Sequence, residues 1–371
     1  MKFHITDYNI TNSNELDTPA LAIYADKLDH NIAQAIKMVG DASRLRPHIK
    51  TCKSPDVVRI MLEKGIHKFK CATIAEAEIL GQCGAGDVLF AYPLVGPKIR
   101  RFIQLIKKYP QTKYTCLADN AGAAMDLTLA FSRENLTVPV YIDLNVGQNR
   151  TGILPEKAFA LYRDISNMQG LHPVGIHAYD GHIRDADFTK RKTNCDSSFK
   201  VVKALSDHIL ANGFPAPKII AGGSPTFPVH AEREGVECSP GTFVFWDKGY
   251  ADLCPEQPFV PAALLLSRVI ALPDATKICL DLGHKSVAAE NSLPNRVYFP
   301  EHPALVPIGQ SEEHLVLEAG TGHGHHIGDL LYGIPFHICP TVALYEAAHF
   351  IEKGRAIGKW RITARDRVIL V

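Results

Sequence analysis

The sequence is poor in features that would point to nucleic acid, membrane or export. Its 371 residues carry 40 Lys+Arg against 39 Asp+Glu, a net charge of +1. That balance gives no electrostatic reason to expect a nucleic acid or an anionic membrane as partner. No uninterrupted apolar stretch reaches the roughly 18 residues of a spanning helix. The opening MKFHITDYNITNSNELD lacks the apolar run of a signal peptide. The nine cysteines are odd in number and none falls in a CxxC pair, which predicts reduced thiols in a cytoplasmic protein. Low-complexity segments and blocks of like charge are missing too, so no tail or long linker is expected.

What is present is core. With 46% hydrophobic residues, the chain can support one domain of about 200–250 residues plus a smaller one. Short β-rich runs occur at 44–50, 67–73, 87–93, 113–119, 138–145, 172–179, 218–224 and 236–245. Between most of them lie helical patterns, such as SPDVVRIMLEKG (54–65), IAEAEILGQCG (74–84) and PEKAFALYRDISNM (155–168). These repeat apolar residues at i, i+3, i+4 and i+7, and several open on Ser, Asp, Asn or Pro and close on Gly. The connection 225–235 is too short and polar for a full helix. This alternation predicts an α/β fold, a (β/α)8 TIM-type barrel over 18–257, although a doubly wound open sheet also fits. From 258 to 371 the runs read as strands between Pro/Gly turns, with only TVALYEAAHFIEKG helical. That is a second, mostly β domain, which residues 1–17 could join.

In such a barrel, chemistry gathers at the carboxyl ends of the strands. Lys50 ends the first run in RPHIKTCK. Arg150 lies in GQNRTG after the fifth, and His177, Tyr179 and His182 close the sixth in GIHAYDGH. AGGSPT (221–226) offers consecutive N–H groups, free of β-carbons at Gly222 and Gly223, together with the Ser224 hydroxyl. SPGT (239–242) could supply the other half of a phosphate cradle through Gly241 and Thr242. A lysine buried beside such a loop, its pKa lowered, could attack a carbonyl, and pyridoxal phosphate is then the natural one. Each residue also has a plainer reading. Lys50 or Arg150 could be salt-bridged, His177 and Tyr179 could be core, and the glycine pair could be a turn. In IPFHICPT (334–341), a strand would place His337 and Cys339 on one face, a pair that suits Zn²⁺ if other ligands complete it. GHGHH (322–326) reads as a loop.

Taken in order, RPHIKT, GQNRTG, HAYDGH, GGSPT, PGT and HICPT resemble the fold-type III pyridoxal phosphate enzymes, in particular the D-threonine aldolase and D-serine dehydratase group. The likeness runs from about Pro19 to the C-terminus and includes TPALAIYADKLDHNI (18–32), similar to the start of alanine racemase-like barrels. By this resemblance Lys50 forms the Schiff base with pyridoxal phosphate. Arg150 approaches the phenolic oxygen, Tyr179 borders the ring, and His177 belongs to the cofactor pocket. Gly222, Gly223, Ser224, Gly241 and Thr242 hold the phosphate. His337 and Cys339 bind a divalent metal, zinc rather than manganese. The implied activity is a lyase acting on D-3-hydroxy amino acids in a homodimer. Dehydration leads, with Lys50 as the α-proton base; aldol cleavage, with His182 as base, is the alternative, and a racemase or a non-catalytic cofactor carrier lies beyond it. Two departures stand out: Cys52 occupies a position where the family has histidine, and Ser239 precedes Pro240-Gly241 where racemases place an arginine.

Overall fold

The computed structural model describes residues 5–371. They divide into two compact units: Met1–Gln34, Thr51–Asp56 and Thr242–Arg365 form one, and Ala35–Lys50, Val57–Gly241 and Asp366–Val371 form the other. The first strand, β1 (Ala20–Tyr24), belongs to the first unit. The next seven build the second: β2 (Lys68–Cys71), β3 (Asp87–Phe90), β4 (Lys113–Ala118), β5 (Val138–Asp143), β6 (Leu171–Ala178), β7 (Lys218–Ala221) and β8 (Val236–Cys238).

Strands β2 to β8 pair in parallel and in chain order. The expected first strand, 44–50, forms no ladder. Pro47 has no N–H to give, and the segment makes single bridges instead, Leu45 to Cys238 and His48 to Lys70. The Arg46 N–H donates to the Cys238 carbonyl at 2.8 Å, and the Lys70 N–H to that of Pro47 at 2.8 Å. One irregular segment thus joins both edges of the sheet and closes an eight-membered barrel. Inside it, the Arg46 guanidinium donates to Glu237 and Asp87, at 2.7 Å each. Breaking that arrangement would strand a buried charge, a costly outcome. The helical periodicities are present at Pro55–Glu63, Ile74–Gln82 and Pro155–Ser166, and the short connection 225–235 holds a helix of five residues, Phe227–Ala231.

The other unit is mostly β. Its strands are β9 (Ala263–Asp274), β10 (Lys277–Leu280), β11 (Val297–Tyr298), β12 (Val306–Gln310), β13 (Leu315–Glu318), β14 (Leu330–Pro335), β15 (Ala347–Glu352) and β16 (Arg355–Arg361). With β1 they form a nine-stranded sheet in the order β12-β13-β10-β9-β1-β15-β16, with β14 on β9 and β11 on β14. The opening segment therefore does not begin in the barrel, as the 18–257 boundary expected. ALAIY is apolar and buried throughout, so it needs a partner on each edge. It finds β9 antiparallel and β15 parallel, whereas the barrel is already closed by 44–50. The expected helix TVALYEAAHFIEKG is helical only at its first two residues, and Ala347–Glu352 within it is strand. Helix covers only Ile338–Val342, and β15 pairs with β16 across Lys353 and Gly354, both at positive φ (48° and 71°). That two-residue turn suits the twist of a hairpin.

Candidate active site

The glycine pair follows β7. Gly222 sits at φ 81°, and a Cβ there would lie 2.6 Å from the His230 ring; one on Gly223 would lie 3.0 Å from the Tyr179 ring. Only glycine fits this turn. The loop is held from beneath. The Gly223 N–H donates to the Thr226 hydroxyl at 3.3 Å, and that hydroxyl donates to Asp180 at 2.7 Å. His230 Nε2 meets the other Asp180 oxygen at 2.8 Å, and Arg233 donates to His230 Nδ1 at 2.5 Å. Cys195 Sγ completes the group, 3.4 Å from His230 Nε2.

Asp180, Cys195 and His230 are all buried, and their ligand atoms lie within 4.8 Å of one another, close enough to hold a metal ion. Their hydrogen bonds favour a different use. Because Arg233 occupies Nδ1 as a donor, the ring proton sits on Nε2 and is given to Asp180, leaving no lone pair for a metal. Burial, then the Asp180 charge, pushes the Cys195 thiol up to about 12. The cluster braces the Gly222-Gly223 turn.

Around the barrel mouth, Lys50 is exposed on the turn after His48, and its N–H donates to His48 Nδ1 at 3.2 Å. The expected burial of this lysine is not found, although it stays close enough to the buried Lys70 to repel its charge. Arg150 places its guanidinium 5.1 Å from the centre of the Tyr179 ring. His182 is exposed and packs on Gly147, in the loop that carries Arg150. His177 is buried, with Nδ1 2.7 Å from Asp143. Burial holds this imidazole below its ordinary value, so it is neutral and donates to the Asp143 carboxylate.

In the β unit, His337 and Cys339 are not on a strand. The Pro340-containing segment turns into the helix Ile338–Val342, with His337 at its N-cap and Cys339 in the first turn. The side chains still meet: hydrogen bonds to Cys339 and Glu290 outweigh burial and raise His337 to about 9. His337 Nδ1 lies 2.5 Å from Glu290 Oε1, and the Cys339 sulfur is 3.1 Å from the Thr51 hydroxyl and 3.6 Å from that of Thr242. Thr51 follows Lys50 in the chain, and Thr242 follows Gly241. Cys52, where the family has histidine, is 1% exposed.

A family model for the alanine racemase N-terminal domain matches residues 23–248. The chain belongs to this alanine racemase-like family of pyridoxal phosphate enzymes. A serine dehydratase domain model matches residues 262–351 of the same alanine racemase-like chain. It is 25% identical to the D-threonine aldolase of Arthrobacter sp over 360 residues, covering 94% of this chain and 93% of that one. It is also 25% identical to the D-threo-3-hydroxyaspartate dehydratase of Delftia sp. (strain HT23) over 387 residues, covering 93% and 97%. The crystal structure of D-threonine aldolase from Filomicrobium marinum shares its fold, with a TM-score of 0.87 at 23% identity, covering 95% and 96%. The resemblance drawn from the motifs stands, as does a pyridoxal phosphate-dependent lyase.

Does this alanine racemase-like chain suit its cofactor? The tight Gly222-Gly223 turn leaves room only for backbone N–H groups. The buried Ser239 hydroxyl, at the end of β8, has no hydrogen-bond partner among the described residues, as expected of a group awaiting a ligand atom. Both observations fit pyridoxal phosphate. A metal fits His337 and Cys339: Glu290 accepts the Nδ1 proton, the usual carboxylate–histidine support of a metal site, and a metal would displace the proton between the imidazole and the Cys339 thiol. Sequence reasoning missed Glu290, Asp143, Thr51 and Lys70. Glu290 and Thr51 carry no local pattern. Lys70 did, since in KFKCAT it sits two residues from Lys68 within an otherwise apolar strand.

Proposed function

We propose that this enzyme is a pyridoxal phosphate- and metal-dependent dehydratase of D-3-hydroxy amino acids of the D-serine or 3-hydroxyaspartate type. The observation that carries the reading is the His337–Cys339 pair with Glu290 on His337. It is a soft donor set oriented for a divalent metal, and its thiol favours zinc over manganese. Bound pyridoxal phosphate withdraws electrons from the substrate Cα, and the metal acts as a Lewis acid at the β-hydroxyl.

The chain's own residues do the rest. The glycine turn, with Ser224, Gly241 and Thr242, holds the phosphate. His177, kept neutral by burial and oriented by Asp143, and Tyr179 border the ring, and Arg150 supplies a guanidinium for an oxyanion. Lys50 takes the α-proton, the β-hydroxyl leaves as water, and hydrolysis gives a keto acid and ammonia. The relative named D-threonine aldolase supports a second reading, in which His182 removes the hydroxyl proton and the Cα–Cβ bond breaks to give glycine and an aldehyde. We place the enzyme in the cytoplasm as a homodimer, consistent with nine free cysteines and, among the described residues, no helix long and apolar enough to cross a membrane.

The test is product identification with D-serine, D-threonine and D-3-hydroxyaspartate, before and after EDTA. Ammonia and a keto acid, lost on chelation, are expected. Glycine would shift the reading to aldol cleavage; an inverted amino acid that survives chelation would overturn it. Lys50→Ala should abolish both turnover and the visible absorbance of the bound cofactor.

A further inference from the structure

One charged group in the barrel has no work in this scheme. Lys70 lies on β2, bridged to His48, and only 3% of it is exposed. Its amine is 5.6 Å from the centre of the Tyr179 ring, the ring that the Arg150 guanidinium also approaches. No hydrogen bond joins that amine to an acceptor among the described residues, and it keeps only a slight contact with solvent. The charged groups that face it come from three sides. Lys50 and Arg46, on the closing segment, repel it, whereas Asp143 at the end of β5 and Asp180 just after β6 attract it. His48 is its paired neighbour, and His177 on β6 is neutral.

An amine this nearly buried and without a protein acceptor is poorly solvated. Its strand neighbour Lys68 shows the ordinary remedy, an ion pair with Glu237. Among the described residues nothing gives Lys70 the same relief, because Asp143 and Asp180 are taken up by His177 and by His230 with Thr226. The partner therefore comes with a ligand. Since Lys50 faces Lys70 closely enough to repel it, and Arg150 approaches the same Tyr179 ring, that ligand brings an anionic oxygen. We propose that Lys70, together with Arg150, is an oxyanion-binding site within the barrel, taking a phenolate or carboxylate oxygen. Burial, then the neighbouring Lys50, lowers the Lys70 amine to about 7, so the incoming anion draws a proton onto it. This inference rests on the pyridoxal phosphate reading. The oxygen has two possible sources, the phenolic oxygen of the cofactor or a carboxylate of the substrate, and the second would make acidic hydroxy amino acids preferred substrates.

Wild-type, Lys70→Met and Lys70→Arg holoenzymes separate the outcomes. If the cofactor is the source, Lys70→Met keeps the visible band but moves the pH at which that band changes by on the order of one unit. If the substrate is the source, the band is unmoved. Instead, the inhibition constant of malonate and the KM for D-3-hydroxyaspartate rise about tenfold or more, with kcat changed less. Lys70→Arg should restore whichever reading moved. A Lys70→Met enzyme that only melts at a higher temperature, with band and malonate affinity unchanged, would overturn the proposal in favour of a buried structural residue. Should Lys70→Met fail to fold, Lys70→Gln supplies the same readings. A wild-type protein without the visible band would sink the cofactor reading instead; malonate binding to it, lost or kept in Lys70→Met, would still decide for or against Lys70.

Discussion

Two clusters in this molecule use nearly the same residue types for opposite ends. In the barrel, Asp180, Cys195 and His230 are buried, and their polar atoms bond to one another and to Thr226 and Arg233. In the β unit, His337 and Cys339 have Glu290 behind the imidazole, with the His337 side chain 44% exposed at the start of a helix. The difference lies in which nitrogen is occupied. Arg233 fills Nδ1 of His230 and forces Nε2–H toward Asp180, so the ring is used up internally. Glu290 accepts the Nδ1 proton of His337, and the ring's other partner is the Cys339 thiol, so the two can give up a proton together to a metal. A histidine beside a thiol and a carboxylate thus signals a metal only when the second ring nitrogen is turned to the right partner.

The contrast can be broken most severely at Asp180. Its removal in Asp180→Ala leaves the Thr226 hydroxyl and the His230 proton without acceptors in the interior, so a loss of about 3–5 kcal/mol in urea unfolding is expected. The same denaturation applied to His337→Ala should show a change within about 0.5 kcal/mol, since that side chain is half exposed. Its loss should appear in the metal content and in turnover, which we expect to fall about 100-fold or more. A His337→Ala enzyme with bound zinc and full turnover would move the metal to the barrel cluster. Next in size is Glu290→Gln. An amide can still accept from Nδ1 but carries no charge, and about a tenfold loss of zinc affinity is expected, read by competition with a chelator. Equal affinity would remove Glu290 from the metal's support.

The same contrast explains what could be read in the sequence. The barrel motifs were legible because each is local: RPHIKT, GGSPT and PGT carry their turn chemistry within a few residues. The supports were not, because Asp180 reaches His230 across 50 positions and His337 reaches Glu290 across 47. Two elements misled for identifiable reasons. HICPT has the period of a strand, but His337 serves as the N-cap of the helix that follows. ALAIY adjoins a helical segment like the other barrel runs, yet its uninterrupted burial marks a central strand of a different sheet. Lys70 was visible in the sequence but went unread, since an isolated lysine in a strand is ordinarily paired as Lys68 is.

The smallest expected effect concerns acid. Burial alone would raise the Asp180 carboxyl, but hydrogen bonds from His230, Thr226 and Cys195 outweigh it and hold the group below its unperturbed value of 3.8. Asp143 is lowered in the same way by His177. A carboxyl with a depressed folded-state pKa contributes stability that is complete above the unfolded value and fades as pH falls through the folded one. The barrel should therefore lose stability below about pH 4 with a slope approaching 1.4 kcal/mol per unit for each such group. Asp143→Asn should flatten that limb, because the asparagine accepts from His177 at every pH, whereas Glu290→Gln, outside the barrel, should leave the limb as it is. Unfolding free energies measured between pH 3 and 6 for the three proteins would separate them. An unchanged slope in Asp143→Asn would mean that the His177 contact does not depend on the carboxylate charge, and the neutral, oriented imidazole assigned to the cofactor face would lose its support.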